Sequence, residues 1–102
     1  MNKLESILSL CRRAGKLVIG YDRIKSGRVR AELIVLASDA SERTKSHSAA
    51  FTADGGKVFQ TDLTMERLGS LLGAGKVAVF AVTEKGLAGL VTEAFGSFEG
   101  NS

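Results

Sequence analysis

The sequence predicts an α/β protein: a three-layer α/β/α sandwich around a roughly four-stranded mixed sheet. Short β-branched runs alternate along the chain with segments whose apolar residues recur at helical spacing. Glycines or capping side chains separate most of these segments. Such alternation places helices on both faces of a sheet that includes parallel crossovers. A chain of 102 residues is long enough for one core, so we expect a single domain over residues 1–95 and a flexible tail over 96–102.

The first third of the chain predicts two helices and two strands. Apolar residues at helical spacing predict a helix over residues 2–14, which Gly15 ends. The run LVI at 17–19 predicts a short strand, and residues 21–26 predict a short helix. The continuous apolar run LIVLA at 33–37 is typical of a strand that is covered on both faces.

The middle of the chain predicts a polar helix followed by a strand. Residues 38–41, SDAS, supply several side chains that can cap the start of a helix. We expect this helix to end near residues 54–56, DGG, because two adjacent glycines favour a turn. Val58 and Phe59 then form a short strand.

The last third predicts a helix, a strand and a second helix. Thr64 can cap a helix with apolar residues on one side, and Gly73 ends it. Residues 77–82, VAVFAV, predict a buried strand. Thr83 can cap a final helix, in which apolar residues again recur at helical spacing.

Positive charge is concentrated in one stretch of the sequence. Between Cys11 and Arg30 lie seven basic residues and one acidic residue, a local charge of +6, whereas the rest of the chain carries −3 of the total +3. Clustered cations gain free energy by releasing counterions from phosphates, so this pattern suits a polyanionic partner. A solvated basic face remains an equally open interpretation, because charge patterning alone constrains partners weakly.

Catalytic and metal-binding patterns are missing from the sequence. His47, the one histidine, has no metal-ligating partners nearby, and Cys11 lies on the apolar stripe of the first helix. The glycines at positions 15, 20 and 27 fit neither GxGxxG nor GxxxxGK[ST]. We therefore expect a protein that is not an enzyme and that uses no cofactor and no metal.

The sequence also bears on location and on the mode of recognition. No apolar run approaches the roughly 20 residues that span a bilayer, and the first ten residues do not resemble a signal peptide. We expect a cytoplasmic monomer with no membrane contact. Aromatic residues are few, so stacking of single-stranded bases on strands is disfavoured and recognition of a folded RNA by its shape is favoured.

Three turns are candidates for one composite site. The turns at Gly20, at residues 38–41 and at residues 73–76 each join a strand to a helix. Loops at the same edge of an α/β sheet converge even when they are distant in sequence. Gly20 allows a sharp turn or a close approach of the backbone to a ligand.

The order of these segments resembles one known family. The chain reads RRAGKLVIG, a short basic helix, AELIVLASDAS and then TMERLGSLLGAGKVAVFAVTEKGL. This order and spacing, over roughly residues 3–95, resembles the L-seven-Ae type ribosomal protein superfamily, and most closely its small bacterial YlxQ-like branch. The resemblance implies an α/β/α sandwich that binds kink-turns, which are sharply bent RNA elements with tandem sheared G·A pairs.

The resemblance also implies which residues contact RNA. Gly20 matches the family's glycine, Asp22 stands where Asn is usual, Arg23 stands where Glu is usual, and Lys25 lies near an expected Lys. Ser41 stands where the family contacts an extruded base, and the loop at 73–76 matches one that packs against the bend. The expected RNA-binding residues are Lys16, Gly20, Tyr21, Asp22, Arg23, Lys25, Arg28, Asp39, Ser41, Gly73, Ala74, Gly75 and Lys76.

We therefore expect a non-enzymatic RNA-binding protein whose partner is structured RNA, either a kink-turn or ribosomal RNA, and which could act on the ribosome. Two alternatives stay open. The departures at Asp22 and Arg23 permit a protein-interaction module of the same fold that has lost specific RNA binding. A nucleotide-binding enzyme is the third hypothesis, and the missing motifs disfavour it.

Overall fold

The computed structural model describes residues 2–27 and 30–100 of the chain. Five helices, four strands and one 3-10 turn follow one another along it. In chain order they are α1 (Lys3–Arg13), β1 (Leu17–Ile19), α2 (Tyr21–Ser26), β2 (Ala31–Leu36), α3 (Glu42–Ser48), the 3-10 turn (Ala49–Phe51), β3 (Thr52–Gln60), α4 (Met65–Leu72), β4 (Val79–Val82) and α5 (Lys85–Gly100).

The four strands form one mixed sheet in the order β1-β4-β2-β3. Strand β4 is antiparallel to both of its neighbours, whereas β2 and β3 are parallel. Strands β1, β2 and β3 therefore end at the same edge of the sheet, and β4 begins there. We call this edge the loop edge; it comprises the segments 20–22, 37–41, 61–64 and 76–78.

Helices cover both faces of the sheet, which confirms the predicted three-layer sandwich. Helices α1, α4 and α5 pack on one face around a large core that contains Leu8, Phe80 and Phe95. The other face holds a smaller core in which Ile24 of α2 packs against β2 and β4. Cys11 lies fully buried in the larger core, where burial raises the pKa of its thiol, so the side chain packs as a small neutral hydrophobe.

Strand β3 differs from the prediction. The helix expected to continue to residues 54–56 ends at Ser48, and the strand begins at Thr52. Its register against β2 shifts, because Thr52 pairs with Ala31 but Lys57 pairs with Leu33. The extra residues form a bulge in which Gly55 has a φ of +81°. Two adjacent glycines here shape a bulged strand and do not terminate a helix.

The helix ends are mostly as predicted. The Thr64 hydroxyl accepts a hydrogen bond from the Arg67 N–H at the start of α4, and Gly73 ends α4 with a φ of +66°. The last helix is an exception, because the carboxylate of Glu84, not the side chain of Thr83, caps it. Helix α5 extends from Lys85 to Gly100.

The cap at Glu84 has an electrostatic consequence. Its two carboxylate oxygens accept hydrogen bonds from the N–H groups of Leu87 at 2.7 Å and Gly86 at 2.9 Å. These backbone hydrogen bonds, with a smaller contribution from Lys16, lower the pKa of the Glu84 carboxyl.

Among the described helices, none is long and apolar enough to cross a membrane.

Candidate nucleic-acid interface

Backbone hydrogen bonds hold the segments of the loop edge together. The Gly20 N–H donates to the Val79 carbonyl at 3.0 Å, which ties the end of β1 to the start of β4. The Ala37 N–H donates to the Ala78 carbonyl at 2.9 Å, and the Ser38 N–H donates to the Leu63 carbonyl at 2.8 Å. Segments that lie up to 59 residues apart in sequence, as Gly20 and Val79 do, thus form one continuous edge.

Gly20 makes the turn from β1 into α2. Its φ of 97° and ψ of 146° lie in a region that only glycine occupies without strain. A Cβ added there would meet no atom of the described residues within 4 Å, so the requirement for glycine is conformational and not steric. The Gly20 carbonyl accepts a hydrogen bond from the Ile24 N–H at 3.1 Å and so begins α2.

Helix α2 presents polar side chains beside this turn. Ile24 is buried and anchors the helix to the sheet, whereas Asp22, Arg23 and Lys25 are exposed. The ring of Tyr21 is half-buried and packs edge-on against Phe51 at a centroid distance of 6.0 Å. The helix therefore carries two cations, one carboxylate and one fixed aromatic ring close to the loop edge.

The segment after β2 has side chains with structural roles. The Asp39 carboxylate accepts a hydrogen bond from the Met65 N–H at 2.8 Å, which joins this segment to the first residue of α4. The Ser41 hydroxyl accepts from the Thr44 N–H at 3.1 Å and is the cap of α3. Ser41 is exposed, so a ligand at the loop edge can still reach it.

The segment 73–76 reaches the loop edge only at its end. Helix α4 begins at this edge and runs ~12 Å away from it, so Gly73 lies at the far end of the helix. The chain then returns along α4: the Ala74 N–H donates to the Gly69 carbonyl, and the Val77 N–H donates to the Met65 carbonyl. Lys76 is therefore near the edge, whereas Gly73 is not.

Gly69 allows this return, although the sequence did not point to it. It lies in the interior of α4, and a Cβ added to it would overlap the carbonyl oxygen of Gly75 and lie 2.6 Å from its carbonyl carbon. The absence of a side chain thus lets the segment pack directly on the helix. A glycine inside a helix is the signal that could have identified it, since it costs about 1 kcal/mol relative to alanine.

The expected RNA-binding residues fall into groups in the structure. Those at the loop edge or on α2 beside it are Gly20, Tyr21, Asp22, Arg23, Lys25, Asp39, Ser41 and Lys76. Ala74 and Gly75 lie along α4, between Gly73 and Lys76. Arg28 lies outside the described residues.

Lys16 lies at the opposite edge of the sheet, because it precedes β1, and β1 is ~10 Å long. Its carbonyl accepts a hydrogen bond from the Thr83 N–H, after the end of β4. Arg30 precedes β2 and lies at this same opposite edge, where its guanidinium donates to the Ala50 carbonyl. The fold thus separates the basic stretch of the sequence into two surfaces.

Arg12 has a structural role at the end of α4. Its guanidinium donates a hydrogen bond to the Leu72 carbonyl at 2.7 Å, which gives this carbonyl in the last turn of α4 a partner.

Within residues 2–27 and 30–100, no group of three His, Cys, Asp or Glu side chains is placed to hold a metal ion.

Comparison with known proteins gives matches only to solved structures. No protein-family model matches the sequence, and no curated protein matches it. A protein of unknown function from Bacillus halodurans superposes with a TM-score of 0.71 at 23% identity, over 93% of this chain and 98% of that one. A Giardia lamblia 15.5kD RNA binding protein superposes with a TM-score of 0.62 at 19% identity, over 98% of this chain and 88% of that one. This chain therefore has the same fold as these two proteins.

Proposed function

We propose that this protein is a non-enzymatic RNA-binding protein that recognises a kink-turn or a related structured RNA through its loop edge. The observation that carries the proposal is the convergence of the Gly20 turn, the segment 37–41 and Lys76 at one edge. The sequence resemblance and the shared fold with an RNA-binding protein from Giardia support the same conclusion. On this proposal the chain is a member of the L-seven-Ae type superfamily, in its bacterial YlxQ-like branch.

The chemistry of the loop edge suits a bent RNA backbone. Arg23, Lys25 and Lys76 are exposed cations, and neither of the ion pairs Lys3–Glu93 and Lys45–Glu42 engages them. They are therefore available to phosphates, which position a protein on RNA without reading its sequence. Two separate segments supply these cations, which suits recognition of a folded RNA through the shape of its backbone.

The proposal has further parts. We propose that the protein acts as a monomer and that it binds its RNA in the cytoplasm. Ribosomal RNA is one such partner, and binding to the ribosome is part of the proposal.

The direct test compares two RNAs by fluorescence anisotropy over a range of salt concentrations. A kink-turn RNA should bind more tightly than a fully paired duplex of the same length, and its affinity should fall as salt rises because phosphates are neutralised. Equal affinity for both RNAs would reduce the interaction to nonspecific attraction. Binding to neither would favour the alternative, a protein-interaction module of the same fold.

Single-residue variants then locate the surface. Lys25→Ala and Lys76→Ala should each weaken binding and reduce the slope of log affinity against log salt by about 1, without changing the melting temperature. The matched control is Lys16→Ala, which removes the same charge at the opposite edge of the sheet and should leave affinity nearly unchanged. A loss of affinity for Lys16→Ala equal to that of the others would contradict the location proposed here.

A further inference from the structure

A groove between α2 and α3 opens beside the loop edge. Its volume is ≈ 450 Å³, within the range of sites for small molecules, and its lining consists of Tyr21, Asp22 and Lys25 from α2 and Arg43, Thr44 and His47 from α3. Tyr21 follows Gly20 directly, and Thr44 is bonded to Ser41. The groove is therefore continuous with the loop edge.

The α2 wall of the groove is part of the RNA surface proposed above. An RNA strand that leaves Gly20 and follows Asp22 and Lys25 of α2 lies in the groove. Its opposite side then faces α3. The side chains it meets there are Arg43, Thr44 and His47, none of which is among the expected RNA-binding residues. An RNA bound to α2 thus has a second wall to contact.

The side chains of the two walls together suit a single nucleotide. Lys25 and Arg43 are exposed cations on opposite walls, and both can contact a phosphate. The rings of Tyr21 and His47 lie 6.4 Å apart at an angle of 44°, so they are not stacked on each other. One cavity thereby groups two cations that can bind a phosphate, two aromatic rings, and a carboxylate that can accept hydrogen bonds from amino groups.

Two observations show that Glu42 and Lys45 of α3 are engaged outside the groove. Glu42, the acidic residue nearest to Arg43 in sequence, is paired with Lys45 at 3.7 Å. Lys45 also donates to the Ser38 carbonyl at 3.5 Å, which directs it toward the segment after β2 and away from the groove. Among the described residues that line the groove, Asp22 is the one carboxylate, and Lys25 and Arg43 are the two cations.

We propose that the groove between α2 and α3 holds one unpaired nucleotide of the bound RNA. Its phosphate lies between Lys25 and Arg43, its base packs against the ring of His47, and the amino groups of the base face Asp22. This inference rests on the proposed function, and it extends the RNA surface from the loop edge onto α3.

The first experiment measures the affinity of variants for the kink-turn RNA by anisotropy. Arg43→Ala should weaken binding about fivefold or more and reduce the salt slope by about 1, as expected for one lost phosphate contact. The matched control is Arg13→Ala, an exposed arginine at the end of α1, which should change the affinity less than twofold. Both side chains are exposed, so both variants should melt as the unaltered protein does.

The second experiment tests whether a base occupies the groove. Abasic residues replace the unpaired nucleotides of the RNA one at a time, and each RNA is measured with the unaltered protein and with His47→Ala. One abasic position should weaken binding to the unaltered protein about tenfold, as expected for a lost stacking contact. The same position should cost His47→Ala almost nothing, because the two changes remove one shared contact.

The outcomes separate this inference from the proposed function. If Lys76→Ala weakens binding but Arg43→Ala and His47→Ala do not, the loop edge binds RNA and the groove does not, so this inference is wrong. If every abasic position has the same effect on both proteins, no base lies against His47 and the inference is again wrong. If no RNA binds, the proposed function fails and the groove proposal fails with it.

Discussion

Replacing Gly69 with alanine tests how the segment 73–76 is held on α4. Helix propensity alone favours alanine by about 1 kcal/mol in a helix interior. Against this, the new Cβ would overlap the Gly75 carbonyl group and lie 3.3 Å from the Lys76 Cα, and these are backbone atoms that cannot rotate away. Overpacking of this kind costs about 1–3 kcal/mol. Because the overlap is with backbone atoms, we expect a cost of about 2–3 kcal/mol, in the upper part of this range. After the propensity gain, the net loss is ~1–2 kcal/mol, which lowers the melting temperature of a domain of this size by ~5–15 °C.

The matched control for this variant is Gly89→Ala in α5. Gly89 is exposed and helical, and in the part of the chain that the structure describes no atom lies within 4 Å of a Cβ added there. It should therefore show the propensity gain alone, about 0.5–1 kcal/mol. Thermal and urea unfolding of both variants measure the difference. If Gly69→Ala proves as stable as Gly89→Ala, the close packing of the segment 73–76 on α4 is not a constraint and the reasoning is refuted.

Three further predictions concern single polar groups. Ser48→Ala should raise the free energy of unfolding by ~0.5–1 kcal/mol in urea titrations, because the buried Ser48 hydroxyl has no hydrogen-bond partner among the described residues; a loss of stability would contradict this. Arg12→Ala should lower it by about 1 kcal/mol, since the Leu72 carbonyl loses a charged donor, whereas its neighbour Arg13→Ala should change it by less than about 0.5 kcal/mol. Glu84→Gln should be less stable than the unaltered protein at neutral pH and equally stable in strong acid. The pKa of Glu84 is lowered in the folded protein. The stability that the Glu84 carboxylate contributes is therefore present above pH 4.5, the ordinary pKa, and is lost as the pH falls from there through the lower pKa of the folded state. A stability difference that stays constant at all pH values would exclude this.

Most of the fold could be predicted from local patterns. Strand β1 and helix α2 lie at the predicted residues, and α4 lies between its predicted cap at Thr64 and its predicted end at Gly73. These elements have periodic apolar residues and glycines or hydroxyls at their ends, and such signals act over a few residues. The start of β3 was missed because the pair Gly55-Gly56 is compatible with a turn as well as with a bulge. Pairing with β2 decides between them.

The candidate site was less predictable than the fold. The sequence identified Gly20 as a special turn, and its φ of 97° confirms this. It did not distinguish Lys16 from Lys25, although the two lie at opposite edges of the sheet. Strand β1 runs from one edge to the other between them, so residues that are close in sequence lie far apart in space. The sequence also did not place Arg43 or His47 in the RNA surface, because their position relative to α2 depends on how two helices pack.

By itself, the sequence determined the identity and order of the helices and strands, the apolar faces that form the two cores, and the concentration of cations in one stretch. Each of these depends on neighbours in the chain. Only the tertiary structure decided that this stretch divides between two surfaces, that the segment 73–76 returns along α4, and that α2 and α3 enclose a groove. The physical reason is that the pairing of β1 and β2 with β4 sets which strand ends meet, and this pairing joins residues that the sequence holds far apart.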